Sequence, residues 1–205
     1  MALELAARQR LLELALESIA AGFGRHAPSP LPPIALPAEF DLPAASFVTL
    51  NLDDELRGCR GRIEPALPLA ADVWENAWSS AFDDPRFPPL SPTEFPALDV
   101  EISLLSPLEP FAVTSEAELI ASLEPGIHGL VLGVGHRRAT FLPKVWAALP
   151  EPHRFVGELK AKAGLPRDFW SPQISLQRYS TETFGLADMP VVLRRSRTPP
   201  GHERG

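Results

Sequence analysis

Hydrophobic positions recur with a helical period in two segments of the first half of the chain. Near the N-terminus, apolar residues three, four or seven positions apart form one stripe of a helix, which Gly22 and Gly24 end. The stripe consists of Leu5, Leu12, Leu16, Ile19 and Phe23. Between Pro68 and Asp84 a second set follows the same period, and Pro85 prevents the helix from continuing. Its members are Ala70, Val73, Trp74, Ala77, Trp78 and Ala81. We therefore predict two amphipathic helices.

Strand patterns precede and follow the second helix. Residues 47–52 are rich in strand-forming side chains, and Asp53-Asp54 offers a turn into a second strand that begins near Leu56. This pattern predicts a β-hairpin. Residues 98–104 alternate between apolar and polar side chains, which is typical of a half-buried strand in an antiparallel sheet. Glu101 lies on the polar face of that strand.

The rest of the chain mixes short strands and helices. In chain order, the pattern predicts a short helix opened by Ser115 and Glu118, a hairpin of strands 129–134 and 139–142, a helix over 152–163 and a last strand around Ile174 and Leu176. Because no strand–helix–strand rhythm is present, we predict an α+β fold with antiparallel sheets and packed helices. The 24 prolines imply short elements with stiff connections, and the Pro-rich residues 27–45 are predicted to form an extended linker.

Charge and cysteine content exclude several classes of function. The chain has 26 acidic and 19 basic residues, a formal charge of −7, and no Lys or Arg cluster in its body that would follow a phosphate backbone, so we expect no nucleic-acid partner. Cys59 is the single cysteine, which favours a reducing, cytoplasmic location. Charged residues interrupt the N-terminal apolar positions, and no run approaches the roughly twenty apolar residues of a membrane span. We expect neither a signal peptide nor a membrane partner.

The segment Leu56-Arg-Gly-Cys-Arg-Gly61 is the first candidate site. Gly58 and Gly61 weaken an ordinary strand, so they indicate a bulge or a place where another group approaches the backbone closely. Two pairs of side chains alternate between the faces of such a strand: Arg57 with Cys59, and Arg60 with Arg62.

Cys59 has two interpretations. In the functional one, the neighbouring Arg57 favours the thiolate, and Cys59 is a nucleophile. In the structural one, Cys59 is a small buried apolar side chain, the commonest role of cysteine in a protein interior. The sequence leaves both open.

From this segment onward, six segments in order resemble the AMMECR-one domain family. They are Leu56-Arg-Gly-Cys59, Ala81-Phe-Asp-Asp-Pro-Arg-Phe-Pro-Pro-Leu90, Val100-Glu-Ile-Ser-Leu-Leu-Ser-Pro107, Gly126-Ile-His-Gly-Leu130, Thr140-Phe-Leu-Pro-Lys-Val-Trp146 and Lys162-Ala-Gly-Leu-Pro-Arg-Asp-Phe-Trp170. The resemblance spans about residues 3–187. The sequence departs from the family signature Leu-Arg-Gly-Cys-Ile-Gly at Arg60, where the family usually has Ile, and at Arg62, where a small polar residue is common.

The resemblance implies a domain of two unequal lobes over residues 1–192, with the signature facing a cleft between them. The larger lobe is expected to contain about residues 1–105 and 173–192, and the smaller about 106–172. Residues 193–205 have no apolar face to bury and are expected to be disordered. The resemblance also implies partners, because in bacteria and archaea such proteins are often found with a Memo-like protein and a radical S-adenosylmethionine protein.

Three further residues each have a structural and a functional interpretation. Arg86 forms an exposed salt bridge or a hydrogen-bonded turn, or it grips a carboxylate in a cleft. Glu101 is a solvated carboxylate or a general base. His128, between a glycine turn and a strand, is a hydrogen-bonded structural histidine or the general base that accompanies Cys59. The tryptophans at 74, 78, 146 and 170 are predicted core residues, and Trp146 and Trp170 are alternatively groove residues for a partner.

No cofactor is expected from sequence. The chain has no His-x-x-His, Cys-x-x-Cys or His-Glu-x-x-His spacing for a metal, no Gly-x-Gly-x-x-Gly or phosphate-binding loop, and no Gly-x-Ser-x-Gly elbow. The first functional hypothesis is therefore an accessory or binding protein, with Arg57, Gly58, Gly61, Arg86 and Glu101 contacting a small-molecule or protein ligand. The second is an enzyme in which Cys59 is the nucleophile, His128 the base and Arg57 an anion-stabilising group.

Overall fold

The computed structural model describes residues 3–189, which form two compact units. The first unit contains the chain up to Leu104 and the segment from Glu182, and the second contains Leu105–Thr181. The predicted disordered tail, residues 193–205, lies outside the described residues. No helix in the described range is long and apolar enough to cross a membrane.

The fold is α+β, as predicted. In chain order its elements are α1 (Leu5–Gly22), β1 (Pro43–Ala44), β2 (Ser46–Leu52), β3 (Glu55–Gly61), β4 (Leu67–Pro68), α2 (Leu69–Phe82), β5 (Asp99–Leu105), β6 (Glu109–Pro110), α3 (Glu116–Ser122), β7 (Gly129–Val134), β8 (Arg137–Phe141), α4 (Pro152–Lys162), β9 (Ser175–Tyr179) and β10 (Thr181–Gly185). Short 3-10 helices cover Ala38–Asp41, Phe95–Ala97, Pro143–Ala147 and Leu186–Asp188.

The first unit is built on a four-stranded sheet with strand order β10-β5-β2-β3. Helices α1 and α2 contribute to one core with the inward side chains of β2 and β5. That core includes Leu11, Leu12, Ile19, Val48, Leu50, Val100 and Ile102, all fully buried. Burial of each such side chain stabilises the unit by about 1.5–3 kcal/mol. The predicted stripe on α1 was wrong at Leu5, which is 55% exposed because it begins the helix beyond the core.

The hairpin of β2 and β3 was predicted from its turn. Asp53 and Asp54 both have positive φ, at 52° and 64°, which matches the twist of the two strands across a two-residue turn. The register shifts between Leu50, opposite Gly58, and Asn51, opposite Leu56. Arg57 is therefore the extra residue of a β-bulge.

Both glycines of this segment are sites of close approach, as predicted. A Cβ on Gly58 would overlap the backbone carbonyl of Ser80 in α2, and a Cβ on Gly61 would overlap the ring of Phe47 in the neighbouring strand. The strand thus lies directly against the backbone of α2, which no other residue type at position 58 allows without displacement.

A buried polar cluster joins α2 to the sheet. The Asp72 carboxylate is fully buried and accepts hydrogen bonds from the Ser46 N–H at 2.9 Å, the Ser46 hydroxyl at 2.6 Å and the Asn76 amide at 2.9 Å. Arg62 also donates to it, at 2.9 Å. Burial raises the pKa of Asp72, and the bonds from Ser46 and Arg62 oppose that shift. Arg62, a departure from the family signature, is thereby part of the connection between strand and helix.

The second unit has its own sheet, with order β6-β9-β7-β8, and its own core. The Trp146 and Phe155 rings stack with centroids 3.8 Å apart. The N-terminus of α3 is capped as predicted, because Ser115 Oγ accepts a hydrogen bond from the Glu118 N–H at 3.2 Å. The prediction that the strand at Ile174 is the last one was wrong, because β10 follows β9 after a single residue and joins the sheet of the first unit beside β5.

Candidate functional site

The end of α2 places a carboxylate directly beneath Cys59. The helix ends at Phe82, and Asp84, two residues further, is 5% exposed. Its carboxylate accepts hydrogen bonds from the Cys59 N–H at 2.9 Å and from Arg86 through the backbone N–H at 3.1 Å, Nε at 2.9 Å and Nη2 at 2.6 Å. Arg86 Nη2 also donates to the Cys59 carbonyl at 3.3 Å. We call Asp84, Arg86 and the backbone of Cys59 the clamp.

The clamp fixes the charge of both side chains. Hydrogen bonds from Arg86, and then those from the backbone, hold the pKa of Asp84 well below its usual range, although burial opposes the shift. The hydrogen bond to Asp84 raises the pKa of Arg86. Asp84 is thus a permanent anion whose acceptor sites are occupied, which suits it to holding the backbone and not to accepting a proton.

Arg57, the bulged residue, is held by a second ion pair. Its Nε and Nη2 donate to the two oxygens of Glu94 at 2.7 and 3.3 Å, and its side chain is 11% exposed. The Ser91 N–H and hydroxyl donate to the same carboxylate. These hydrogen bonds, that from Arg57 first, lower the pKa of Glu94 to about 2. The sequence assigned Arg57 to the stabilisation of an anion near Cys59, and the structure shows that its charge already has a carboxylate partner.

The thiol belongs to the face of the sheet opposite α2. Cys59 pairs with Thr49 on β2, and Thr49 pairs with Glu101 on β5, so the three side chains lie in a row across three strands. The Cys59 Sγ and Thr49 Oγ1 atoms are 3.4 Å apart; Cys59 is half-buried and Thr49 is buried. We call Cys59, Thr49 and Glu101 the thiol row.

The two unusual arginines of the signature lie on the other face, as the strand alternation predicted. Arg60 reaches Asp83 after α2, at 3.6 Å, and Arg62 bonds Asp72 and Glu75 of α2. The replacement of the family's isoleucine by Arg60 therefore places a charge at the end of α2 and not beside the thiol.

His128 belongs to the second unit, whereas the other predicted site residues belong to the first. Its Nδ1 accepts a hydrogen bond from the Glu124 N–H at 3.1 Å, which leaves Nε2 as the protonated nitrogen of the neutral ring. Its carbonyl accepts from Trp146 Nε1 at 2.7 Å, and its ring packs edge-on against Phe111. His128 also lines a cavity of about 200 Å³, whose other lining residues include Glu109, Arg178 and Tyr179. These contacts hold the ring in place.

Comparison with known proteins identifies the relatives of this chain. The family model described as AMMECR1 matches residues 12–184. The chain belongs to the AMMECR1 family. A protein of Methanothermobacter thermautotrophicus is 39% identical to it over 158 residues, which are 74% of this chain and 80% of that protein. A Thermotoga maritima protein is 36% identical over 158 residues, 75% of this chain and 84% of its own.

A solved structure supports the same assignment. The crystal structure of an uncharacterized protein from Pyrococcus horikoshii superimposes with a TM-score of 0.82 at 30% sequence identity, covering 89% of this chain and 93% of that one. The AMMECR1 fold is therefore shared over nearly the whole length.

Sequence reasoning on this AMMECR1 protein missed three residues of the site: Asp84, Glu94 and Thr49. Asp84 was noted only as the end of a helix, although an Asp side chain in a turn commonly accepts a hydrogen bond from the backbone two residues on, as Asp84 does from the Arg86 N–H. Glu94 and Thr49 carried no local signal, because long-range pairing alone brings them to Arg57 and Cys59. Over residues 3–189, no three His, Cys, Asp or Glu side chains are grouped to hold a metal ion.

Proposed function

We propose that this AMMECR1 protein is a binding or accessory protein whose ligand contacts the thiol row, and that Memo-like and radical S-adenosylmethionine proteins are its partners. The observation that carries the proposal is the clamp. It holds the N–H and the carbonyl of Cys59 from the side of α2, and the thiol lies on the opposite face. The partners rest on the family resemblance, and a cleft between two lobes stays a prediction.

The charges around Cys59 support binding over acid–base catalysis. Asp84 is saturated by four hydrogen bonds, and Glu94 is saturated by Arg57 and Ser91. A general base needs a free lone pair and a pKa near the working pH, and the low pKa values of these two carboxylates meet neither condition. Both ion pairs instead hold the backbone of β3 rigid, which reduces the ordering cost of binding.

Thr49, in the middle of the thiol row, is buried, so the row offers a ligand its two half-buried ends, Cys59 and Glu101. Adjacent strands are about 4.8 Å apart, so the carboxylate end of the row lies about 10 Å from the thiol end, measured between backbones. A thiol at one end and a carboxylate at the other suit a polar segment with a donor at the Glu101 end. A protein loop or a small cationic molecule has this chemistry.

The proposal is tested by binding to purified Memo-like and radical S-adenosylmethionine proteins encoded in the same genome. Cys59→Ala and Glu101→Gln each remove one end of the row, and each is expected to weaken binding by about tenfold. Arg60→Gln is the matched control, because Arg60 follows Cys59 on the opposite face. The proposal is overturned if the wild type and the three variants bind a partner with equal affinity, or if the wild type binds neither partner.

The second candidate function is an enzyme that uses Cys59 as nucleophile, with His128 as its base. The half-buried position of Cys59 and the Thr49 hydroxyl 3.4 Å from its sulfur favour this candidate. A catalytic thiolate reacts with iodoacetamide at neutral pH faster than free cysteine does. Labelling of Cys59 that is no faster than labelling of free cysteine rejects the enzyme, whereas faster labelling that His128→Ala abolishes supports it.

A further inference from the structure

A cavity in the first unit, separate from the thiol row, has the composition of a small-molecule site. Its volume is about 420 Å³, within the range of ligand pockets. Half of the ten lining residues are Phe, Trp or Pro, and three others have charged or titratable side chains. It consists of Phe23, Gly24, Arg25, His26, Trp78, Phe82, Asp83, Pro89, Leu90 and Pro92. No residue of the clamp or the thiol row contributes to it.

Trp78 lines the cavity, and its indole N–H is a buried donor beneath the cavity surface. The residue is 7% exposed, and its buried indole Nε1 has no acceptor among the described residues. The other two buried indoles are satisfied, since Trp74 Nε1 donates to the Ser29 carbonyl at 2.6 Å and Trp146 Nε1 to the His128 carbonyl at 2.7 Å. Because the Trp78 nitrogen has almost no accessible surface, Trp78 contributes apolar ring surface to the cavity and no polar contact.

The position of the Trp78 ring is fixed by close packing. A Cβ on Gly22, at the end of α1, would lie 2.7 Å from Trp78 Cδ1, the atom next to Nε1. The Trp78 ring also packs against Phe82, with centroids 5.8 Å apart, and Phe82 packs edge-on against Phe23 at 5.4 Å. The aromatic part of the lining is therefore preorganised.

The charged residues of the cavity favour an anionic ligand. Within residues 3–189 the Arg25 guanidinium has no ion-pair or hydrogen-bond partner, and it is exposed. Asp83, the acidic residue of the lining, already pairs with Arg60 at 3.6 Å. An arginine without a partner beside an apolar cavity suits a ligand that carries a carboxylate on an apolar body.

We propose that this cavity binds a small apolar carboxylate, with its hydrocarbon part against Trp78, Phe82 and Phe23 and its carboxylate paired with Arg25. The oxygen atoms of such a ligand supply the acceptor that the Arg25 guanidinium lacks among the described residues. The proposal is independent of the partner-binding function of the thiol row.

The test is a titration of the full-length ¹⁵N-labelled protein with 3-phenylpropionate and with its uncharged amide, followed at the Trp78 indole resonance. This resonance is assigned through its contacts with Gly22 and Phe82. We expect a saturable shift with the carboxylate and about tenfold weaker binding of the amide. Propylbenzene, which has no acceptor, is expected to bind more weakly still.

Arg25→Gln is the decisive variant, because Arg25 is exposed and its loss leaves the core intact. The variant is expected to bind the carboxylate and the amide equally. Arg10→Gln is the matched control on the same end of the chain: the Arg10 guanidinium is already paired with Glu13 and Glu17, so the preference for the carboxylate should persist. The absence of a saturable Trp78 shift with 3-phenylpropionate, or an undiminished preference for it in Arg25→Gln, overturns the proposal.

Discussion

Asp84 accepts a hydrogen bond from the backbone N–H of Cys59 at 2.9 Å, although the two residues are 25 positions apart in the chain. This bond joins the end of α2 to the centre of β3. Because Asp84 also binds Arg86, whose Nη2 returns to the Cys59 carbonyl, one ionised side chain fixes the strand that carries the thiol.

Replacing Asp84 by Asn is expected to destabilise the protein by about 1–3 kcal/mol, because the charge-assisted bonds to Cys59 and Arg86 are lost or weakened. The measurement is the midpoint of urea unfolding. Asp83→Asn is the matched control, since Asp83 is exposed and forms only a long ion pair with Arg60, so its loss should change stability by at most about 1 kcal/mol. Equal effects of the two substitutions would contradict the clamp.

Acid is expected to destabilise the first unit through Glu94 and Asp84. The pKa of Glu94 is about 2 in the folded protein and 4.5 as an ordinary glutamate, so its ion pair stabilises fully above pH 4.5 and this stabilisation is lost as the pH falls towards 2. Asp84, whose pKa is also depressed, acts in the same direction. Asp72 acts oppositely, because burial raises its pKa and its protonation in acid relieves that cost.

Glu94→Gln should therefore be less stable than the wild type at neutral pH and lose less stability on acidification. Urea unfolding at several pH values between neutral and about 3 measures both quantities. An acid dependence as steep as that of the wild type would show that Glu94 is not the group responsible.

Gly58→Ala is expected to cost about 1–3 kcal/mol, because the new methyl group would overlap the backbone carbonyl of Ser80 and push β3 away from α2. Gly157→Ala in α4 is the control. Its Cβ would lie 3.7 Å or more from its neighbours, and alanine favours a helix, so this variant should be as stable as the wild type or slightly more so. Thermal unfolding of both variants checks the difference.

Arg60→Ile restores the residue that the family usually has after Cys59. We expect a change in stability within about 1 kcal/mol, since the pair with Asp83 is exposed, and an unchanged rate of Cys59 alkylation, since the two side chains lie on opposite faces. A clear change in the alkylation rate would mean that Arg60 influences the thiol after all.

Local patterns predicted the elements, and long-range pairing determined the site. The period of Val73, Ala77 and Ala81 predicted α2, and Asp53-Asp54 predicted the hairpin, because both signals depend on neighbours in sequence. The strand β10, Thr-Glu-Thr-Phe-Gly, was missed because its two inner residues are consecutive and give no alternation of burial. Gly58 and Gly61 did indicate close approach, yet no local pattern could show which atoms approach them.

The same limit applies to the candidate site residues. Arg86 and Arg57 were selected for their charge, and their partners Asp84 and Glu94 are what decide that both charges hold the backbone. Those partners come from segments whose position follows from the whole fold. The charge of a side chain is readable in a sequence, but its neutralisation is not.

The most direct test of the account is the rate of Cys59 alkylation by iodoacetamide in the presence and absence of a saturating Memo-like or radical S-adenosylmethionine protein. If the partner covers the thiol row, its addition should slow the labelling of Cys59, and Glu101→Gln should reduce this protection at a fixed partner concentration. The claim that a partner covers the thiol row is contradicted if a saturating partner leaves the labelling rate of Cys59 unchanged. It is also contradicted if neither protein binds.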